Sequence, residues 1–134
     1  MRHYLQYHKV NERGSYRPGT FRIVTDKSVD SLPGARIWVI TRPGLPPRYC
    51  ICETFVVEQV GPATDDAKAH QAWATRGTPF EPPVPIDTEA WFKQMRDDAG
   101  NFGFGLQRIT NVQVVIGLQQ ILARYEKKGA ATRP

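Results

Sequence analysis

The chain has 134 residues, 40% of them hydrophobic, with eleven prolines, eleven glycines and a net charge of +5. A chain of this length buries about two thirds of the surface it exposes when unfolded, so it holds one domain with its own core. The composition excludes a chain disordered throughout, and no stretch approaches the roughly eighteen apolar residues of a membrane span. The charge is unevenly spread: residues 1–50 hold nine Lys/Arg against three Asp/Glu, residues 51–100 four against nine, and residues 101–134 five against one. If the two ends meet, they form a basic face opposite an acidic one, and a basic face favours a polyanion.

In chain order, His3–His8 alternates weakly and predicts a first strand with Tyr4, Leu5 and Tyr7 as its bulk. Lys9–Gly19 is polar and basic and predicts a loop, with a short extended piece at Phe21–Thr25 and a turn at Pro33-Gly34. Two strands follow, Arg36–Thr41 and Arg48–Val60, joined by a loop stiffened by Pro43, Pro46 and Pro47. The second is apolar on both faces, which predicts cover on both sides or a bulge that switches faces. Thr64, followed by Asp65 and Asp66, predicts a capped helix through Ala74. Gly77–Pro85 holds four prolines and predicts an extended surface loop. A short helix is expected from Asp87 or Thr88 to about Asp98, with Gly100 just past its C-cap. In the last helix, Thr110 and Gln113 match a capping box, and Val114, Val115, Leu118, Ile121, Leu122 and Tyr125 share a face. Gly117 marks a weak or closely packed point of it. Residues 1–128 thus form the domain, and residues 129–134 a flexible tail or linker.

Cys50 and Cys52, the two cysteines, lie two apart on a predicted strand, so their side chains share a face. That placement suits neither a bridge nor a zinc site; both are expected to be buried filler in a reducing compartment. Met1-Arg2-His3-Tyr4 opens no apolar run, so no secretory signal is expected and the chain reads as cytoplasmic, without membrane contact.

Catalytic signatures are missing: there is no G-x-S-x-G elbow, no Walker loop and no H-E-x-x-H. His3, His8 and His70 have no ligand spacing, and Asp97 and Asp98 point about 100° apart on a helix. The chain alone is therefore not read as an enzyme, and no metal or cofactor is expected. The alternatives are a small hydrolase or nucleotide-modifying enzyme, for which His8 with Glu12 is the one tempting pair, and a protein-interaction module using the proline-rich loops.

Aromatic and basic residues stand together at Tyr7-His8-Lys9, at Arg13-Gly14-Ser15-Tyr16-Arg17, and at Trp38 with Arg36 and Arg42. Unpaired or extruded bases stack on aromatic faces while Arg and Lys hold phosphates. Trp91, Phe92, Phe55 and Tyr125 have the spacing of core residues. Tyr7, Tyr16 and Trp38 are candidate stacking rings, and Phe102 and Phe104 are either a loop plug or a pocket wall.

The first strand Tyr4-Leu5-Gln6-Tyr7-His8-Lys9, the Pro-Gly turn into Ala35-Arg36-Ile37-Trp38-Val39-Ile40, the strand Tyr49–Val60, and Asn101–Ile109 before a terminal helix follow one another in an order that resembles the PUA-like superfamily, and within it the EVE-type domains. The resemblance implies an α+β fold: a PUA-like pseudobarrel of about five or six mostly antiparallel strands with about three peripheral helices. It implies a nucleic-acid reader, DNA favoured over RNA, whose pocket receives a base, often a modified one. Related domains stand beside HNH-type nucleases in modification-dependent restriction proteins, so a fused or associated nuclease is an expected partner. The expected base pocket is Tyr7, His8, Ser15, Tyr16, Trp38 and Gln107; the expected phosphate contacts are Lys9, Arg13, Arg17, Arg42 and Arg48.

Overall fold

The computed structural model describes residues 1–9, 13, 16–103 and 105–132. Among them the strands are β1 (His3–Tyr7), β2 (Arg22–Thr25), β3 (Arg36–Thr41), β4 (Cys50–Val56), β5 (Gln59–Pro62), β6 (His70–Trp73), β7 (Thr78–Pro85) and β8 (Gln107–Ile109), and the α-helices are α1 (Phe92–Asp98) and α2 (Val112–Thr132). Five strands form one sheet in the order β7-β4-β3-β1-β8, and three form a second in the order β2-β6-β5. Only β1 and β3 pair in parallel; the other pairs are antiparallel.

The central strands carry apolar side chains at both parities because both faces of the large sheet are covered. Along β3, Trp38 and Ile40 face the helices, where they meet Phe92, Met95, Val114, Leu118 and Ile121. Ile37 and Val39 face the small sheet, with Ile23, Phe55 and Ala72. The double-sided strand β4 shows both expected features, for it is covered on each face and its pairing with β7 shifts between Ile51 and Glu53. After β4 the chain bends from one sheet into the other. Val57 N still donates to Ala35 O at 2.9 Å, whereas Glu58 N already donates to Trp73 O at 3.0 Å. The predicted strand Arg48–Val60 is thus two strands with a bend.

Four elements differ from expectation. The helix expected from Thr64 to Ala74 is a turn followed by β6: Asp66 Oδ1 accepts from Lys68 N at 3.0 Å, a side-chain turn that competes with helix, and burial alternates at Ala72 and Ala74. The proline-rich loop is an edge strand, where a residue without an N–H is tolerated because one side of the ladder is unpaired. Helix α2 is capped one residue later than expected, by Asn111, whose Oδ1 accepts from Gln113 N at 2.9 Å and Val114 N at 3.2 Å. It also runs on through Thr132, so the tail expected from residue 129 is helical that far. The count is accordingly eight strands and two α-helices among the described residues, against the expected five or six strands and three helices. Helix α1 begins at Phe92 and not at the expected Asp87 or Thr88, because residues 87–91 form turns; Gly100 does follow its C-cap Ala99, with φ 57°, as expected.

Gly117 is a point of close packing. A Cβ there would overlap the indole of Trp91. Gly117→Ala gains about 1 kcal/mol of helix propensity but forces Trp91 off its seat, at about 1–3 kcal/mol. Net destabilisation in a urea titration is the expected result, and suppression by Trp91→Leu would trace it to this contact.

Candidate nucleic-acid interface

Neighbouring residues of β1 point to opposite faces, and that parity organises the site. Leu5 and Tyr7 face the helices; Tyr4 and Gln6 face the small sheet. The pairing of β1 with β8 covers His3 to Leu5 and stops there. Strand β2 approaches β1 without pairing to it: Gln6 Nε2 lies 3.5 Å from Val24 O, a long contact that bridges the seam. Here a cleft of about 320 Å³ opens between the sheets, walled by Gln6, His8, Tyr16, Thr20 and Val39, with Arg13, Arg17 and Arg22 around it.

Tyr16 is fixed from behind. Its ring meets His8 edge to face at 5.0 Å, and its hydroxyl lies 3.2 Å from Thr20 Oγ1, near the Glu53 carboxyl. Burial, and then the neighbouring Glu53, push the Tyr16 hydroxyl above the ordinary tyrosine range, so it stays protonated. Glu53 is wholly buried, and its oxygens accept from Gly19 N at 2.9 Å and Phe21 N at 3.0 Å. Burial raises its carboxyl, against the neighbouring Tyr16 hydroxyl and the hydrogen bonds from Gly19 N and Phe21 N, which lower it. A buried carboxylate thus anchors the segment that leads into β2 and carries the cleft wall.

The cations differ in how they are held. Arg13 forms an ion pair with Asp66, whose carboxyl that contact holds below the usual range. Arg22 pairs with Asp65 at 2.5 Å and donates to Gln71 Oε1 at 2.6 Å. Arg17 is exposed and has no ionic partner among the described residues. Exposed pairs are worth about 0–1 kcal/mol, so a phosphate can compete for these guanidinium groups.

Of the expected residues, His8, Tyr16, Arg13 and Arg17 come together at this cleft, and Lys9 lines the adjoining one. Trp38 does not: it is 0% exposed and its Nε1 donates to His3 Nδ1 at 3.0 Å, so it is core rather than pocket wall. Tyr7 touches both clefts, but its ring stacks on Phe102 at 5.6 Å on the helix side of the sheet, which removes it as a sandwiching partner. Gln107 donates to Ala99 O at 3.1 Å beside a separate hollow of about 80 Å³. Arg42 lies over the Tyr49 ring at 4.9 Å, and Arg48 is held by both oxygens of Asp87 at 2.6 and 3.2 Å; neither lines the cleft. Phe102 is buried and backs Tyr7 as a plug. Ser15, Glu12 and Phe104 lie outside the described residues.

Sequence reasoning missed Gln6, Thr20 and Arg22. Gln6 had a signal, since it stands at the parity opposite Leu5 and Tyr7 in an otherwise bulky strand. Cys50 and Cys52 are both buried thiols, as expected. Among the described residues no group of three or more His, Cys, Asp or Glu is placed to hold a metal ion, and no helix is long and apolar enough to cross a membrane. No family model matches the chain, and no solved structure matches it at a significant level.

Proposed function

We propose that the protein is a nucleic-acid reader of PUA-like fold which takes one extruded base into the cleft between β1 and β2. The observation that carries this reading is the convergence of His8, Tyr16, Arg13 and Arg17 on one opening, with the Gln6 amide in its wall. Its volume, about 320 Å³, lies at the lower end of ligand pockets. The strand order supports the pseudobarrel: β8-β1-β3-β4 continues through the bend at Val57–Glu58 into β5-β6-β2, bringing β2 round to face β1 across the seam. The base rests against Tyr16 and His8, Gln6 and Thr20 offer hydrogen bonds to its edge, and Arg13 and Arg17 take the flanking phosphates. DNA, with a modified base, is the favoured ligand. Cleavage is left to a fused or associated nuclease, and the two buried thiols suit the cytoplasm.

The test is a fluorescence-anisotropy titration with short single strands and duplexes, with and without modified bases, from low to moderate salt. Log affinity is expected to fall linearly with log salt, by about 0.7–0.9 per phosphate contacted. Arg17→Ala is expected to lower that slope by about one contact. His8→Ala is expected to abolish preference among bases with the slope unchanged. Salt-independent binding, or none at any salt, overturns the reading.

A further inference from the structure

Resting on that base-binding reading, we infer that a second cleft beside the first holds the phosphodiester of the neighbouring nucleotide, so that the ligand is a single strand engaged at two successive nucleotides. The second cleft measures about 290 Å³ and shares Gln6, Tyr7 and Arg13 with the first. The two are therefore contiguous, meeting at the end of β1, where β8 no longer pairs with it.

Their chemistry differs. The first offers His8 and Tyr16, an aromatic corner suited to a base. The second is lined by four cations, Lys9, Arg13, Lys27 and Lys68, against a single carboxylate, Asp26, among its described lining residues. Among its described lining residues the one aromatic besides Tyr7 is Phe102, whose ring is buried against Tyr7. That set fits an anion rather than a base.

Donors remain available. Lys27 Nζ donates to Leu106 O at 2.6 Å, and an ammonium has two further protons to give. Asp26 is ionised and offsets one of the four cations, Lys68, with which it forms an ion pair, so the described lining still carries more positive than negative charge. The Asp26 oxygens are held by Ala69 N at 3.0 Å and Lys68 Nζ at 3.3 Å, and these contacts keep its carboxyl below the usual range. Gly103 and Gly105 also line this cleft, and neither carries a side chain to bar a sugar–phosphate backbone from close approach. A strand filling both clefts has one nucleotide turned out into the first and its phosphate neighbour laid across the second. Strand pairing at those two positions is then lost.

The experiment compares the four deoxynucleoside 5′-monophosphates with the corresponding dinucleotides by isothermal titration on the full chain. It uses the wild type and a Lys27→Gln/Lys68→Gln variant whose melting curve shows that it folds. The dinucleotide containing the best-bound base is expected to bind at least tenfold more tightly than its monophosphate. The Lys variant is expected to lose that increment while monophosphate binding stays within twofold, and excess inorganic phosphate to remove the increment in the wild type. Equal affinity for the two ligands, or an increment that survives the Lys variant, overturns this inference and leaves the base site standing. No binding of any monophosphate or dinucleotide overturns the base site and this inference with it.

Discussion

Trp38→Ala is expected to cost about 3–5 kcal/mol of folding stability, against a total of about 5–15 kcal/mol for a domain of ordinary stability. The indole is 0% exposed on the helix-facing side of β3, packed with Leu5, Ile40, Ile51 and Phe80. No cleft lined by His8 and Tyr16 includes it. Its Nε1 donates to His3 Nδ1 at 3.0 Å with the two rings 16° from parallel, so its removal leaves a large cavity and an unpaired buried imidazole nitrogen. Trp38→Phe separates the two losses, since it keeps most of the packing and gives up only the hydrogen bond, at about 1–3 kcal/mol. Urea denaturation followed by circular dichroism measures both. The hydrogen bond also requires a neutral His3. Burial, then Arg36 and the N-terminus, push that imidazole below its ordinary value of 6.5. The unfolded chain therefore takes up this proton at higher pH than the folded one, and stability falls as pH drops from 6.5 through the folded value. A Trp38→Ala protein as stable as wild type would show that the indole is not part of the core.

The same residue shows what the sequence could and could not convey. Strand β3 was legible to the residue because Arg-Ile-Trp-Val-Ile-Thr has the β-branched and aromatic content of a strand. Which face held Trp38 was not, because both faces of β3 are apolar and alternation distinguishes faces only when one is polar. Helix α2 was legible because its buried positions Val114, Leu118 and Ile121 repeat at helical spacing. The stretch from Thr64 was misread because an Asp that caps a helix and an Asp that closes a turn on its own backbone have the same local signature; only the alternation at Ala72 and Ala74 distinguished them. At the site, Tyr16, Arg13 and Arg17 were found as one basic and aromatic run. Gln6, Lys27 and Lys68 were not, since the seam that unites them is made by β2 approaching β1 across separate sheets, and no local pattern encodes that approach.

Glu53→Leu is expected to destabilise the fold by about 2–6 kcal/mol, because it strands two buried backbone donors at about 1–3 kcal/mol each. Those donors, Gly19 N and Phe21 N, have the Glu53 carboxylate as acceptor at 2.9 and 3.0 Å. Glu53→Gln is the milder change: the amide oxygen still accepts from one of them, but its NH₂ confronts the other as donor against donor. The pH dependence separates charge from shape. Burial raises the Glu53 carboxyl above its ordinary value of 4.5, so over a window starting there the folded protein holds a proton that the unfolded chain has released. Stability contributed by this group therefore falls as pH climbs from 4.5 through the folded value, and it has no slope below that window. The Gln variant, which cannot titrate, is expected to lose this descending limb while keeping the acid limb of His3, so melting temperatures of wild type and variant converge as pH rises from 4.5. Curves that run parallel across the window would mean that Glu53 has no raised carboxyl in the fold. The consequence reaches the site, since Glu53 holds the segment entering β2, which carries Thr20 of the cleft wall: a Gln variant that still folds is expected to bind nucleic acid more weakly while its salt slope, set by Arg13 and Arg17, stays that of the wild type.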